Sequence, residues 1–158
     1  MRYSTLTTPI GELMLTADDD GALTSVNLPN RHPDPAGWER DDELLADARR
    51  QLTEYFAGER TEFDLPLRPT GAPFQLRVWE ALLRIPYGET ASYGEMAREL
   101  GHPTASRAVG AANGRNPIAI VVPCHRVIGA NGSLTGYAGG LECKRALLDL
   151  EVGRAALV

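Results

Sequence analysis

The 158-residue chain has no apolar run near the roughly 20 residues that a membrane-crossing helix needs. Stretches such as Ile118–Val122 fall far short of that length. It opens Met1-Arg2-Tyr3-Ser4-Thr5, without the apolar segment of a secretion signal, so the expected compartment is the cytosol. Cysteine is scarce: Cys124 and Cys143 are too few for a disulfide scaffold and form no C-x-x-C pair. Three scattered histidines give no zinc-ligand spacing. No G-x-G-x-x-G follows a strand, which argues against an S-adenosylmethionine or dinucleotide cofactor. Hydrophobic residues at 43% and charged residues at 23% suit a packed core rather than disorder. Both thiols are expected to be free, and each must be core filler or chemistry.

Acidic residues are missing from one long stretch. The net charge is −5, but residues 1–69 carry 7 Lys/Arg against 14 Asp/Glu, whereas residues 70–158 carry 9 against 7. Between Leu100 and Leu141 there is no acid, while Arg107, Arg115, Arg126, His102 and His125 all lie there. A polyanion can dock on such a stretch without repulsion from neighbouring carboxylates.

Residues 1–69 read as an α/β unit. Arg2–Thr8 and Glu12–Ala17 flank a Pro-Ile-Gly turn, and Ala22–Leu28 follows an acidic turn, giving a small antiparallel sheet. A helix is expected from about Asp41 to Ala57, with Leu44, Leu45, Ala48, Leu52, Tyr55 and Phe56 on its apolar stripe. No catalytic constellation occurs here, which suggests a scaffold. Thr61–Gly71, with two prolines, reads as a linker.

Residues 70–158 read as mostly helical. Pro73 suits a first helical position, and Pro86-Tyr87-Gly88 closes that helix. Ser92 and Glu95 form an S-x-x-E capping box for a short helix that ends at Gly101. Thr104 is placed to cap the next, which stops at Asn113-Gly114. Two short helices across a tight turn make a helix-turn-helix, although αα corners that bind nothing look the same. The second helix, Ala105 to Ala112, is nearly bare of bulky side chains except Arg107. Such a slim helix suits either close helix packing or a minor groove only about 6 Å wide. A lone arginine on it is better explained by the groove, where it can hold the place of an extruded base.

Ile118–Val122 reads as a short buried strand leading into Pro123-Cys124-His125-Arg126-Val127. A nearby imidazole can draw off a thiol proton. Adjacent residues do not face each other on a helix or strand, so a bridging water is the more natural relay. The histidine then needs a carboxylate to orient it, and several are available. Downstream, the glycine-rich segment from Gly129 to Gly140 can bring backbone close to a flat ligand, with Tyr137 to stack on it, or can be an ordinary loop. Leu141–Leu150 reads as a helix, with Cys143 structural.

The run Ile118-Ala-Ile-Val-Val-Pro-Cys-His-Arg-Val127, the preceding Asn116-Pro117 and Gly136-Tyr-Ala-Gly-Gly140 together resemble the O6-alkylguanine-DNA alkyltransferases over roughly Phe74 to Glu151. The resemblance is to their constitutive bacterial form. It implies a ribonuclease H-like N-terminal domain over 1–69 and a DNA-binding, catalytic domain over 70–158. It also implies that Cys124 accepts the alkyl group, that His125 is its base through a water, and that Glu151 orients His125. Asn116 is then a hinge tying the helix-turn-helix to the active-site turn. Arg107 becomes the finger that replaces the flipped nucleotide, with Ser106, Ala108 and Arg115 beside it on the DNA face. Tyr93 crowds the 3′ phosphate and helps to protonate the departing guanine. Tyr137, Ala138, Gly139 and Val127 line the base and alkyl pocket, and Gly139 leaves room for groups larger than methyl.

The expected activity is a single transfer of an alkyl group from O6-alkylguanine, and by the same resemblance O4-alkylthymine, in double-stranded DNA to Cys124. The expected protein is a monomer, with cooperative assembly on DNA left open. A thioether has no easy leaving group, so each molecule acts once. Three rivals differ in class. A damage-recognition protein of the alkyltransferase-like type lacks the acceptor cysteine. A helix-turn-helix regulator calls for long polar readers on its second helix. A Cys-His hydrolase turns over repeatedly and ignores duplex DNA.

Overall fold

The computed structural model describes residues 1–134, 137 and 139–153. Strands β1 (Arg2–Thr8) and β2 (Gly11–Ala17) form an antiparallel hairpin, and β3 (Leu23–Asn27) adds antiparallel to β2. The sheet is mixed rather than purely antiparallel, because β4 (Glu39–Arg40) pairs parallel to the start of β1 and gives the order β3-β2-β1-β4. Helix α1 spans Ala46–Phe56 and presses Ala48, Leu52, Tyr55 and Phe56 into the core.

The helix starts five residues later than the acidic run suggests, because those acids serve the sheet instead. Ser4 Oγ donates to Asp42 at 2.6 Å, the Asp41 amide donates to the Tyr3 carbonyl, and Asp41 Oδ1 accepts from the Leu44 amide. Side-chain acceptors that capture nearby backbone donors hold residues 42–45 in turns.

The expected linker is part of the fold. The Leu23 amide donates to the Pro66 carbonyl at 2.8 Å and the Arg68 amide to the Leu23 carbonyl at 2.8 Å, so this segment lies along the outer edge of β3. Phe63, Leu65 and Leu67 pack against the core.

Helix α2 (Pro73–Leu82) begins with Pro73 at its first turn, and the short strand β5 (Ala91–Ser92) follows. Helix α3 (Tyr93–Glu99) has the expected reciprocal cap. Ser92 Oγ accepts from the Glu95 amide at 3.1 Å, and Glu95 Oε1 accepts from the Ser92 amide at 3.0 Å. Helix α4 (Ser106–Gly114) packs on α2 and α3 through Val109, Ala112 and Asn113. Thr104 does not cap it: Ala105 stands at the N-cap and no side chain bonds there. Trp79 Nε1 donates to the Ala112 carbonyl at 2.8 Å and locks α2 to α4.

Ile118–Val122 is buried but is not a strand. Only Ile118 bridges the sheet, opposite Val26, and Ile120 takes a left-handed φ of 72° that costs a β-branched residue strain. Asn116 supplies the bonds a neighbouring strand would have given. Its Oδ1 accepts from the Ile118 amide at 3.0 Å and its Nδ2 donates to the Val122 carbonyl at 2.8 Å. A 3-10 turn, Cys124–Arg126, leads into β6 (Val127–Ile128), which runs parallel to β5; helix α5 (Leu141–Glu151) follows. Among the described residues no helix is long and apolar enough to cross a membrane.

The Ser92 cap fixes where α3 begins, and with it the position of Tyr93. Ser92→Ala is expected to lower stability by about 1 kcal/mol, read as a lower urea midpoint at unchanged m-value.

Candidate active site

Cys124 opens the 3-10 turn and is 6% exposed. Burial pushes its thiol pKa up, while the Asn116 side chain, the Tyr137 hydroxyl and the Lys144 ammonium act to lower it. Asn113 Nδ2 donates to the Cys124 carbonyl at 3.2 Å, so the base of α4 holds the turn that carries the sulfur.

His125 is fully buried, and its Nε2 lies 2.7 Å from Glu151 Oε2. Burial lowers its pKa, the charges of Arg126 and Lys144 lower it further, and Glu151 opposes them. Burial alone would raise the Glu151 carboxyl. The hydrogen bonds and charges of His125 and Arg126 outweigh that and hold it at about 2. At neutral pH the pair is therefore a carboxylate facing a neutral imidazole, with the proton on Nε2 donated to Glu151. Nδ1 is then an unprotonated, buried nitrogen with no hydrogen-bond partner among the described residues. A three-residue helical turn separates consecutive side chains by about 120°, which keeps Cys124 and His125 apart although they are neighbours in sequence.

Arg126 does not serve a DNA surface. It is buried, donating through Nε to Glu151 Oε1 at 2.7 Å, through one terminal nitrogen to Oε2 at 3.0 Å, and through the other to the Ile85 carbonyl at 2.7 Å. Its guanidinium also stands 5.7 Å from the Tyr87 ring centre. Lys144, the only lysine in the chain, is buried and donates to the Val127 carbonyl at 2.6 Å. Val127 is wholly buried in the core, and its pairing with Ala91 sets β6 beside the strand that leads into Tyr93.

The remaining candidates fall into two groups. On α4, Ser106, Arg107 and Ala108 are exposed, as is Arg115 at its end, while the Tyr93 ring lies near Gly110. Arg115 also lines a groove of about 340 Å³ with Asn27, Arg31 and Asn116. No acidic residue lines that groove, and neither arginine is ion-paired among the described residues. In the loop, Tyr137 is near the thiol, and burial pushes its phenol well above the ordinary value. Gly139 lies against the N-terminal half: a Cβ there would fall 2.3 Å from Leu28 Cδ1 and 3.2 Å from Tyr137 Cε2. Any side chain at 139 would therefore collide with Leu28. Ala138 lies outside the described residues. A larger cavity of about 720 Å³ lies between α5 and residues 128–134, and Cys124 is not among its lining residues. Among the described residues no three His, Cys, Asp or Glu side chains converge as metal ligands.

The family model of the 6-O-methylguanine DNA methyltransferase DNA-binding domain matches residues 73–153, and that of the family's ribonuclease-like domain matches residues 1–69. The chain belongs to the 6-O-methylguanine DNA methyltransferase family. It is 54% identical over 154 residues to the methylated-DNA–protein-cysteine methyltransferase of Methanosarcina acetivorans, covering 96% of this chain and 98% of that one. The counterpart of Mycobacterium bovis is 55% identical over 157 residues, covering 98% and 94%. The crystal structure of Mycobacterium tuberculosis OGT in complex with DNA superposes with a TM-score of 0.92 at 55% identity, covering 98% of this chain and 95% of that one.

Around this family's cysteine, sequence reasoning missed four side chains: Tyr55, Arg126, Lys144 and Asn113. Tyr55 reaches the site from α1, where its hydroxyl donates to Glu151 Oε2 at 2.6 Å, so the N-terminal half is more than a scaffold. A tyrosine within an otherwise apolar stripe is the hint in the sequence, since a buried phenol needs a partner.

Because the Glu151 pKa is depressed on folding, its contribution is complete above the ordinary value of 4.5 and is lost as the pH falls toward about 2. The difference corresponds to roughly 3 kcal/mol. Glu151→Gln is expected to be less stable than wild type at pH 7 and to lose less on acidification, measured by urea unfolding across that window. Parallel acid dependences would show that the carboxylate is not held as described.

Proposed function

We propose that the protein repairs alkylated duplex DNA by direct reversal, moving a methyl or larger alkyl group from the O6 position of guanine to Cys124 in a single turnover. The carrying observation is the buried Glu151–His125 pair next in sequence to Cys124: an ionised carboxylate fixes the imidazole tautomer and leaves Nδ1 available as a base that can reach the thiol through a water. Family membership and the DNA-bound relative support the same reading. The protein binds DNA and acts in the cytoplasm as a monomer.

The chemistry balances without a cofactor. Cys124 loses its proton through a water to His125 Nδ1, and the buried Lys144 ammonium favours the thiolate that results. Sulfur attacks the alkyl carbon in line, the S–C bond forms and the C–O6 bond breaks. The electron pair leaves on guanine, which is neutralised by a proton with Tyr93 as donor, while hydrogen bonds from the site stabilise the charge on the departing base. No step restores the thiol. Cys124 is 6% exposed, so a base swung out of the helix reaches it only when the side chains over the sulfur move aside.

Exposed Arg107 on a face of small residues suits entry into the stack, and Arg115 with Arg31 suits the phosphate backbone on either side of the groove between the two halves. Arg31→Ala and Arg115→Ala are each expected to weaken duplex binding and to reduce the salt slope by about 1. Unchanged slopes would place the DNA elsewhere.

The reaction is read most directly by intact mass. Incubation with O6-methylguanine duplex is expected to add about 14 Da, one methylene, to the peptide that contains Cys124. Cys124→Ala is expected to take up nothing while still binding the alkylated duplex. Absence of the increment on folded wild-type protein would overturn the reading, and loss of binding together with transfer would overturn the assignment of Cys124 to chemistry alone.

A further inference from the structure

Tyr55 belongs to α1, 96 positions from Glu151, yet its hydroxyl donates to the carboxylate that orients His125. Glu151 Oε2 accepts from three donors: Tyr55 at 2.6 Å, His125 Nε2 at 2.7 Å and an Arg126 terminal nitrogen at 3.0 Å. A carboxylate oxygen offers about two lone-pair sites, so the three donors share its charge. Tyr55 is fully buried, and its ring is held by Phe56 at 5.3 Å, Phe63 at 5.5 Å and Tyr87 at 6.2 Å between centroids. The ring alone satisfies that packing. The hydroxyl has a different use.

We propose that Tyr55 is a positioning residue for alkyl transfer: by sharing Glu151 Oε2 with His125 it limits the negative charge offered to the imidazole, and so sets the pH below which His125 stops accepting the Cys124 proton. The proposal rests on the alkyl-transfer reading above. The other titratable or charged groups around the pair are Tyr87 from the turn after α2, Cys124 and Arg126 from the 3-10 turn, Tyr137 from the loop and Lys144 from α5. Arg126 and Lys144 favour the neutral imidazole, and Glu151 favours the imidazolium. Removing the Tyr55 hydroxyl leaves more charge on Oε2, strengthens Glu151 against the two cations, and makes His125 easier to protonate.

The test is Tyr55→Phe in the full chain, which keeps the ring and its aromatic contacts. Two titrations are compared with wild type: the single-turnover rate on O6-methylguanine duplex, and the His125 ring resonances by NMR, assigned with His125→Gln. Both midpoints are expected to move to higher pH, by about half a unit, which is about a threefold lower rate well below the midpoint. Phe63→Leu, which disturbs the same ring cluster without touching Glu151, is expected to lower stability and leave both midpoints in place. Superimposable wild-type and Tyr55→Phe titrations, or a shift to lower pH, would overturn the proposal and leave Tyr55 a purely structural tie. Wild-type protein that transfers no alkyl group would overturn the functional reading instead, while the NMR titration would still decide whether Tyr55 tunes His125.

Discussion

The buried Glu151 carboxylate is the interaction on which the rest of the site depends. It sits at the end of α5 and collects donors from α1, from the turn that bears the cysteine, and from both nitrogens of one arginine edge. A buried carboxylate without such partners would be protonated. With them it stays ionised, and a charge confined in a poorly solvated site orients dipoles strongly. Buried ion pairs of this kind are weak contributors to net stability, because desolvation offsets their attraction. Specifying one geometry accounts better for this pair: Arg126 is also fastened to the Ile85 carbonyl, so Glu151, His125 and the turn between them keep a single arrangement.

The two halves of the chain are joined by backbone as well as by side chains. Strand β3 bonds to the segment around Pro66 and, further along the same edge, to the segment around Ile118. The second contact sits six residues before the cysteine. Asn116 and Asn113 then carry the connection from that edge and from α4 to the sulfur-bearing turn, through Val122 and the Cys124 carbonyl. Helix α4 and the turn that bears Cys124 are therefore linked by two asparagine amides.

Much of this was legible in the sequence wherever the cause is local. Ser92 with Glu95, and Pro73 at a helix start, depend only on residues within one turn. The Cys-His pair, too, stands in adjacent letters, whereas the carboxylate that faces His125 does not. What escaped depends on partners distant in the chain. Arg126 looks like a cation for DNA until the fold brings Glu151 to it, and Tyr55 looks like one more core aromatic until Glu151 stands 2.6 Å away. Ile118–Val122 has every local mark of a strand. The Asn116 side chain satisfies its backbone instead, which no propensity scale records. The acidic residues before α1 mislead for the same reason, since Ser4 and Tyr3 lie across the sheet from them.

The way β3 is bordered has a further effect, on what the molecule avoids. An open sheet edge is a template on which a foreign strand can assemble. Here the free donors and acceptors of β3 are taken up by two pieces of the same polypeptide, neither of which is itself a strand long enough to recruit another. The opposite margin is β4, two residues long and formed by the exposed, oppositely charged Glu39 and Arg40. A sheet bounded in this way offers little purchase for intermolecular pairing, so the chain can be concentrated without its sheet margins seeding aggregation.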